Sequence, residues 1–320
     1  MGVELIILML GLVPFAIAAT TGGNGAEVAT TEDEVAAQDA LLDFSSLAEF
    51  LANRGDVEEP DDATGAGTDT LGTGTDTAVT GVDTIVGDTG ADTAPTTLVG
   101  TDGADTITGT AQSDTIESGA GNDILDGADG FDWIFGGAGD DTLLGGLGQD
   151  TLLGAEGMDL LIGGDGADQI SGGSEADSLE GEAGADVLYG GLGSDTLNGG
   201  SGDDRLDGGL ATGPDGAADI LDGGSGDDAL FLEDGDVGTG GSGADSFYAN
   251  GVVQITDFDS SEDMLMIEYS GATAPAITAQ TLSAEGLAIN LSDGTVVLLA
   301  GVGEMIAASS LTYIALAPTT

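Results

Sequence analysis

Aspartate recurs every nine residues through the middle of this chain, as Asp105, Asp114, Asp123, Asp132, Asp141, Asp150, Asp159, Asp168, Asp177, Asp186, Asp195 and Asp204. Two positions after each stands Ile or Leu, from Ile107 and Ile116 through to Leu197 and Leu206. An uninterrupted register of this length outweighs any single motif and marks a tandem array. Carboxylates at fixed spacing can bind cations or work as acid–base pairs. The chain has no His, no Cys and no Lys, and its two basic residues are Arg54 and Arg205. Zinc fingers, disulfides, Ser-His-Asp triads, Cys-His nucleophiles, Schiff-base lysines and the P-loop lysine are therefore excluded. Carboxylate-pair glycosidase chemistry and chemistry through a bound metal stay open.

Charge points the same way. With 59 Asp plus Glu the formal net charge is −57. Such a surface repels nucleic acid and anionic lipid headgroups, and cations are its complement. The 59 glycines and an aromatic content of only 4% make an ordinary core improbable. Acid and glycine on this scale give disorder unless the pattern is periodic or a ligand neutralises the charge.

The elements that must position the aspartates follow from the nine-residue lines, which begin GTDGADTIT, GTAQSDTIE, SGAGNDILD, GADGFDWIF, GGAGDDTLL and GGLGQDTLL from Gly100 onward. Their consensus, G-G-x-G-x-D-x-U-x with U a large aliphatic residue, resembles the RTX (repeats-in-toxin, haemolysin-type) calcium-binding repeat over about half the chain. Glycines at positions one, two and four allow a tight six-residue turn with carbonyl oxygens directed inward. Positions seven to nine form a short strand whose eighth residue enters the core. Two lines complete one coil, and coils stack at about 4.8 Å, so residues eighteen apart superpose. Ca²⁺ is a hard cation that takes six to eight oxygens, which stacked turns of Asp carboxylates and carbonyls provide. The resemblance implies ions bridging adjacent turns. Solvated Asp-Gly turns alone would not hold one Asp in register while stacking so much unneutralised charge.

The array continues less regularly with Asp219/Leu221, after an insertion around Pro214, then Asp228/Leu230, and Asp245/Phe247 after a shortened line. These three aspartates join the twelve as expected metal ligands. Gln112 and Glu175 replace the fourth-position glycine and Ser118 the first, making theirs the weakest turns. Upstream, Asp83/Ile85 and Asp92/Ala94 keep the spacing, and the roll is expected to start near Val79 to Leu98.

The flanks differ in kind. Leu5 to Ala19 is apolar and ends in Ala16-Ile17-Ala18, so residues 1–20 read as a signal-like leader or a short anchor, the one membrane-directed segment. Residues 21–78 are acidic; a capping box at Thr31-Glu32-Asp33-Glu34 predicts a helix over about 32–54, followed by a Gly/Thr-rich linker. Residues 79–248 are the expected calcium-binding roll. Over 249–320, VVQITDF, MLMIEY, LAINL and VVLLAGV predict strands that cap the solenoid, with a hairpin turn at Ser292-Asp293-Gly294-Thr295. Family likeness implies a type I secretion region there.

The expected fold is thus all-β, a parallel β-roll with a C-terminal β cap and one short N-terminal helix. The expected function is calcium-dependent folding of a secreted or cell-surface structural or binding protein, not an enzyme. The alternatives are the accessory repeat domain of a secreted hydrolase or polysaccharide-modifying enzyme, and a surface adhesion module. Outward positions Trp133, Phe135 and Leu153 form an apolar stripe, continued at position nine by Ser171 and Tyr189, that is expected to dock the 32–54 helix or a second molecule.

Overall fold

The computed structural model describes residues 68–70, 84–86, 97–209, 216–270, 273–307 and 311–315. The leader and the expected helix over 32–54 lie outside them. Among the described residues there is no helix, and the chain forms a parallel β-solenoid with two sheets.

Each nine-residue line builds one strand because its aliphatic residue is flanked by residues that tolerate water. In Leu160–Asp165 the burial alternates, with Leu161 fully buried between half-buried Leu160 and Ile162. Glycines from the next line extend the strand into the turn. Successive lines alternate between the sheets, so each strand pairs with the one two lines away: Leu152 lies beside Ile134 on one side and Ile170 on the other.

Among the described residues one sheet has eleven strands, all parallel, from Thr97–Val99 to Leu311–Ala315. The other has fifteen and starts at Thr68–Thr70. Parallel stacking does not stop at Tyr248. Val252–Ile255 and Met264–Tyr269 extend the two sheets, and Val296–Ala300 and Leu311–Ala315 add a further parallel strand to each. Only then does the larger sheet turn antiparallel, through Gly286–Leu291 and Ile277–Leu282.

The core is a double column of the eighth-position residues. Ile107, Leu125, Leu143, Leu161, Leu179, Leu197 and Leu221 descend one sheet, and Ile116, Ile134, Leu152, Ile170, Leu188, Leu206 and Leu230 the other. The first column breaks at Gly238, which pairs with Leu221. Leu232, only 1% exposed, fills that gap, its Cδ1 standing 2.8 Å from where a Gly238 Cβ would be. Such stacking gives each line a fixed height along the axis, which brings the turn aspartates into line.

Candidate metal centre

Every sixth-position Asp from Asp105 to Asp204 is buried, as are Asp219, Asp228 and Asp245. The stacking sorts them into two ladders. In each, the backbone N–H of one Asp donates to Oδ1 of the Asp one coil further on. The first ladder runs Asp105, Asp123, Asp141, Asp159, Asp177, Asp195, Asp219 and Asp236. The second runs Asp114, Asp132, Asp150, Asp168, Asp186, Asp204, Asp228, Asp245 and Asp263. Interior bonds such as Asp141 N–H to Asp159 Oδ1 measure 2.8 Å. One carboxylate oxygen of each interior Asp is thereby spent on holding the stack.

In most of them the other oxygen has no donor. Oδ2 of Asp132, Asp141, Asp150, Asp159, Asp168, Asp177, Asp186, Asp204 and Asp228 is buried without a hydrogen-bond partner, while the Ser118 hydroxyl lies close to the Asp123 carboxylate. A buried carboxylate oxygen left so costs folding free energy. Further acceptors crowd it. At Gly127 and Gly145 the point where a Cβ would stand is 2.5 to 2.7 Å from both the Oδ2 of its own line and the first-position carbonyl oxygen of the next coil. At the fourth position, Gly148 and Gly166 have φ of +148° and +152°, and a Cβ there would overlap a carbonyl oxygen of the coil before. Turn carbonyls therefore face along the axis into the spaces between coils.

Burial pushes the carboxyls of Asp132, Asp141, Asp186 and Asp228 up to about 7, against the lowering effect of the N–H each accepts, with nearby carboxylates adding to the rise. The same causes bring Asp177 to about 8. Burial likewise brings Asp159 and Asp168 to about 6 and raises Asp123, Asp150, Asp204 and Asp245.

Three substituted turns behave differently. Glu175 adopts the left-handed conformation of the glycine it replaces, φ +74°. Ser118 donates its hydroxyl to the Gly136 carbonyl. Gln112 is not left-handed, and its turn takes another form: Thr110 N–H and Oγ1–H both donate to Asp114 Oδ2, at 2.6 and 2.8 Å.

Asp236 and Asp263 are ladder members absent from the aspartates expected from sequence. Asp236 follows Asp228 by eight residues and precedes Val237-Gly238, so both the spacing and the aliphatic marker fail there. Asp263 was legible: Asp263-Met264-Leu265 keeps the marker, eighteen residues after Asp245.

The profile of the RTX calcium-binding nonapeptide repeat matches residues 77–94, 99–134, 119–152, 126–161, 153–188, 180–211 and 215–237. The chain belongs to this RTX family. Its repeats are calcium-binding units, and the matching profile describes a binding repeat, not a catalytic domain. Among solved structures, the AlgE6R3 subunit of the Azotobacter vinelandii mannuronan C5-epimerase is similar at 21% identity, over 46% of this chain and 78% of that one, with a TM-score of 0.16. The extracellular lipase LipA of Serratia marcescens is similar at 18% identity, over 70% of this chain and 40% of that one, with a TM-score of 0.20. No curated protein matches the chain in sequence.

The RTX turns fit calcium on their own chemistry. They offer oxygen alone, and the unpartnered Oδ2 atoms need a positive charge. Among the described residues no three acidic side chains converge, so carbonyl oxygens must supply much of any coordination shell.

The apolar stripe also falls into register. Trp133 lies beside Thr151, and Glu117, Phe135, Leu153, Ser171 and Tyr189 occupy one row across successive strands. Trp133 is 43% exposed, whereas Leu153 and Tyr189 are 7% and 5% exposed. The row continues through Asp207, Phe231 and Tyr248. There Arg205 pairs with Asp207 at 3.2 Å and lies 3.6 Å over the Phe231 ring, which stacks on Tyr248.

Proposed function

We propose that this RTX chain is a secreted or cell-surface structural or binding module whose roll folds when calcium occupies its turns. The observation that carries the reading is the set of buried Oδ2 atoms without donors, those of Asp132, Asp141, Asp150, Asp159, Asp168, Asp177, Asp186, Asp204 and Asp228. In the proposed assignment each such Oδ2, together with turn carbonyls, holds an ion between adjacent coils. Bound Ca²⁺ supplies the positive charge that the stacked carboxylates lack. The chain's own part is to fix each oxygen: Oδ1 is tied to the neighbouring Asp N–H, which turns Oδ2 into the space between coils. Without the cation, repulsion among these acids opposes stacking, so folding and binding become one equilibrium. Extracellular calcium modules work at roughly 10⁻⁴ to 10⁻³ M, which suits a chain exported unfolded and folded outside.

In this reading residues 79–248 form the main calcium roll, and the strands beyond cap it through the antiparallel hairpin over 286–300. The test is far-UV circular dichroism during a calcium titration. A β spectrum is expected only as calcium rises, and the same spectrum in excess chelator at neutral pH would end the proposal.

A second reading concerns the row through Trp133, Phe135 and Leu153, for which the low exposure of outward-facing Leu153 speaks. We assign it as a contact face for the apolar sequence within residues 32–54. A chain lacking residues 1–60 should then show red-shifted, more readily quenched Trp133 emission; unchanged emission would remove the assignment.

A further inference from the structure

Among the described residues, the outermost members of the two ladders, Asp105 and Asp114 on one side and Asp236 and Asp263 on the other, all have Oδ2 bonded by a backbone N–H three or four residues earlier. Thr101 N–H donates to Asp105 Oδ2 at 2.6 Å and Thr110 N–H to Asp114 Oδ2 at 2.6 Å. Glu233 N–H donates to Asp236 Oδ2 at 2.6 Å and Asp259 N–H to Asp263 Oδ2 at 2.7 Å. At the N-terminal end a hydroxyl is added, since Thr101 Oγ1–H and Thr110 Oγ1–H donate to the same oxygens at 2.9 and 2.8 Å. Those hydroxyls in turn accept from Gly103 N–H and Gln112 N–H.

The backbone differs accordingly. Second-position residues of the following turns, Gly119, Ala128, Gly137 and Gly146, are left-handed, with φ from +75° to +106°. Thr101 and Thr110, at the same position, are not. In the turns of Asp132, Asp141 and Asp150 a left-handed second residue leaves Oδ2 without a donor, whereas Thr101 and Thr110, which are not left-handed, each deliver an N–H to it. Residue choice decides which, because a β-branched side chain resists positive φ.

We propose that Thr101 and Thr110 close their own two turns with hydrogen bonds in place of calcium, so that ions sit in the turns that follow and not at Oδ2 of Asp105 or Asp114. Each Thr supplies two donors to the oxygen that would otherwise face an ion. The carboxylate is neutralised in effect by N–H and O–H dipoles, as at a helix N-cap. The inference rests on the calcium reading above and adds where that calcium stops.

The test counts ions on the full chain. Equilibrium dialysis with metal analysis at saturating calcium is compared for the wild type, for Thr101→Gly with Thr110→Gly, and for Thr101→Ser with Thr110→Ser. Glycine restores the repeat consensus and frees both Oδ2 atoms, so the Gly pair should bind about one to two more ions per chain, the Ser pair the wild-type number. An unchanged count in a Gly pair with the wild-type β spectrum overturns the proposal. A calcium-loaded wild-type crystal gives a check that needs no variant: anomalous peaks are expected between interior turns, and one at Oδ2 of Asp105 or Asp114 overturns it. If the wild type binds no calcium, it is the calcium reading that fails.

Discussion

An interior aspartate of the roll divides its carboxylate, one oxygen bound into the stack and the other left for the cation of the proposed function. Oδ1 of Asp159 accepts the Asp141 N–H, and Oδ2 is left without a donor. Asp159→Asn keeps an oxygen for the first task and lowers the charge available for the second. The calcium midpoint of folding should rise by about tenfold, read by circular dichroism, and an unchanged midpoint would detach this residue from the ions. Residues held left-handed without being glycine are a separate matter. Ala155 has φ +89° and Glu182 +71°, conformations that cost an L-residue about 1 to 2 kcal/mol. Part of that is offset by the looser unfolded chain of a glycine variant. Glu182→Gly is therefore expected to stabilise the calcium-loaded roll by about 0.5 to 1 kcal/mol in denaturant titration.

At the scale of a strand, the array depends on one buried aliphatic per line, and the exception shows how far the rule bends. Gly238 sits where Leu or Ile is required, and Leu232, from the strand Ala229–Leu232, fills the space. Leu232→Ala would open a cavity next to a residue that cannot close it, and should cost about 2 to 5 kcal/mol in the same measurement. A loss no larger than that of an exposed substitution would mean that neighbouring coils collapse into the gap. This local exchange also hid a ladder member. The eight-residue step to Asp236 and the glycine two residues later removed both sequence markers, although the fold keeps the Asp219 N–H to Asp236 Oδ1 bond at 2.9 Å. Asp263 shows the opposite case, since its marker was present but stood beyond the break in the nine-residue rhythm.

Across the whole molecule the stacked, buried carboxyls are expected to link the stability of the roll to protons, beside the link to calcium of the proposed function. Burial raises Asp132, Asp141, Asp186 and Asp228 to about 7 and Asp177 to about 8 in the ion-free roll. A group whose pKa is raised on folding favours the folded state when protonated. That contribution is complete below the ordinary carboxylate pKa of about 4 and is lost as pH rises through about 6 to 8. In excess chelator, β signal should therefore grow on acidification from pH 8 to pH 5. With calcium the carboxyls are ionised in the loaded roll, and at ordinary pKa values they are ionised in the open calcium-free chain as well, so the calcium midpoint of folding should be nearly the same at pH 6 and pH 8. A midpoint that rises clearly at pH 6 would show that a protonated, already folded roll precedes the ion.

Sequence alone determined the repeat, the inward column from Ile107 to Leu206, the eighteen-residue superposition and the calcium chemistry, because each depends on a period and on residue type. Only the tertiary structure decided which oxygen of each Asp is tied and which is left for a cation, since that depends on the N–H of a residue one coil away. It also decided that Asp105 and Asp114 differ from Asp132 and Asp141. All four stand at the same place in the repeat. What separates them is the backbone conformation of the second residue in the turn, which delivers a donor to Oδ2 from Thr101 and Thr110 and withholds it where the chain is left-handed.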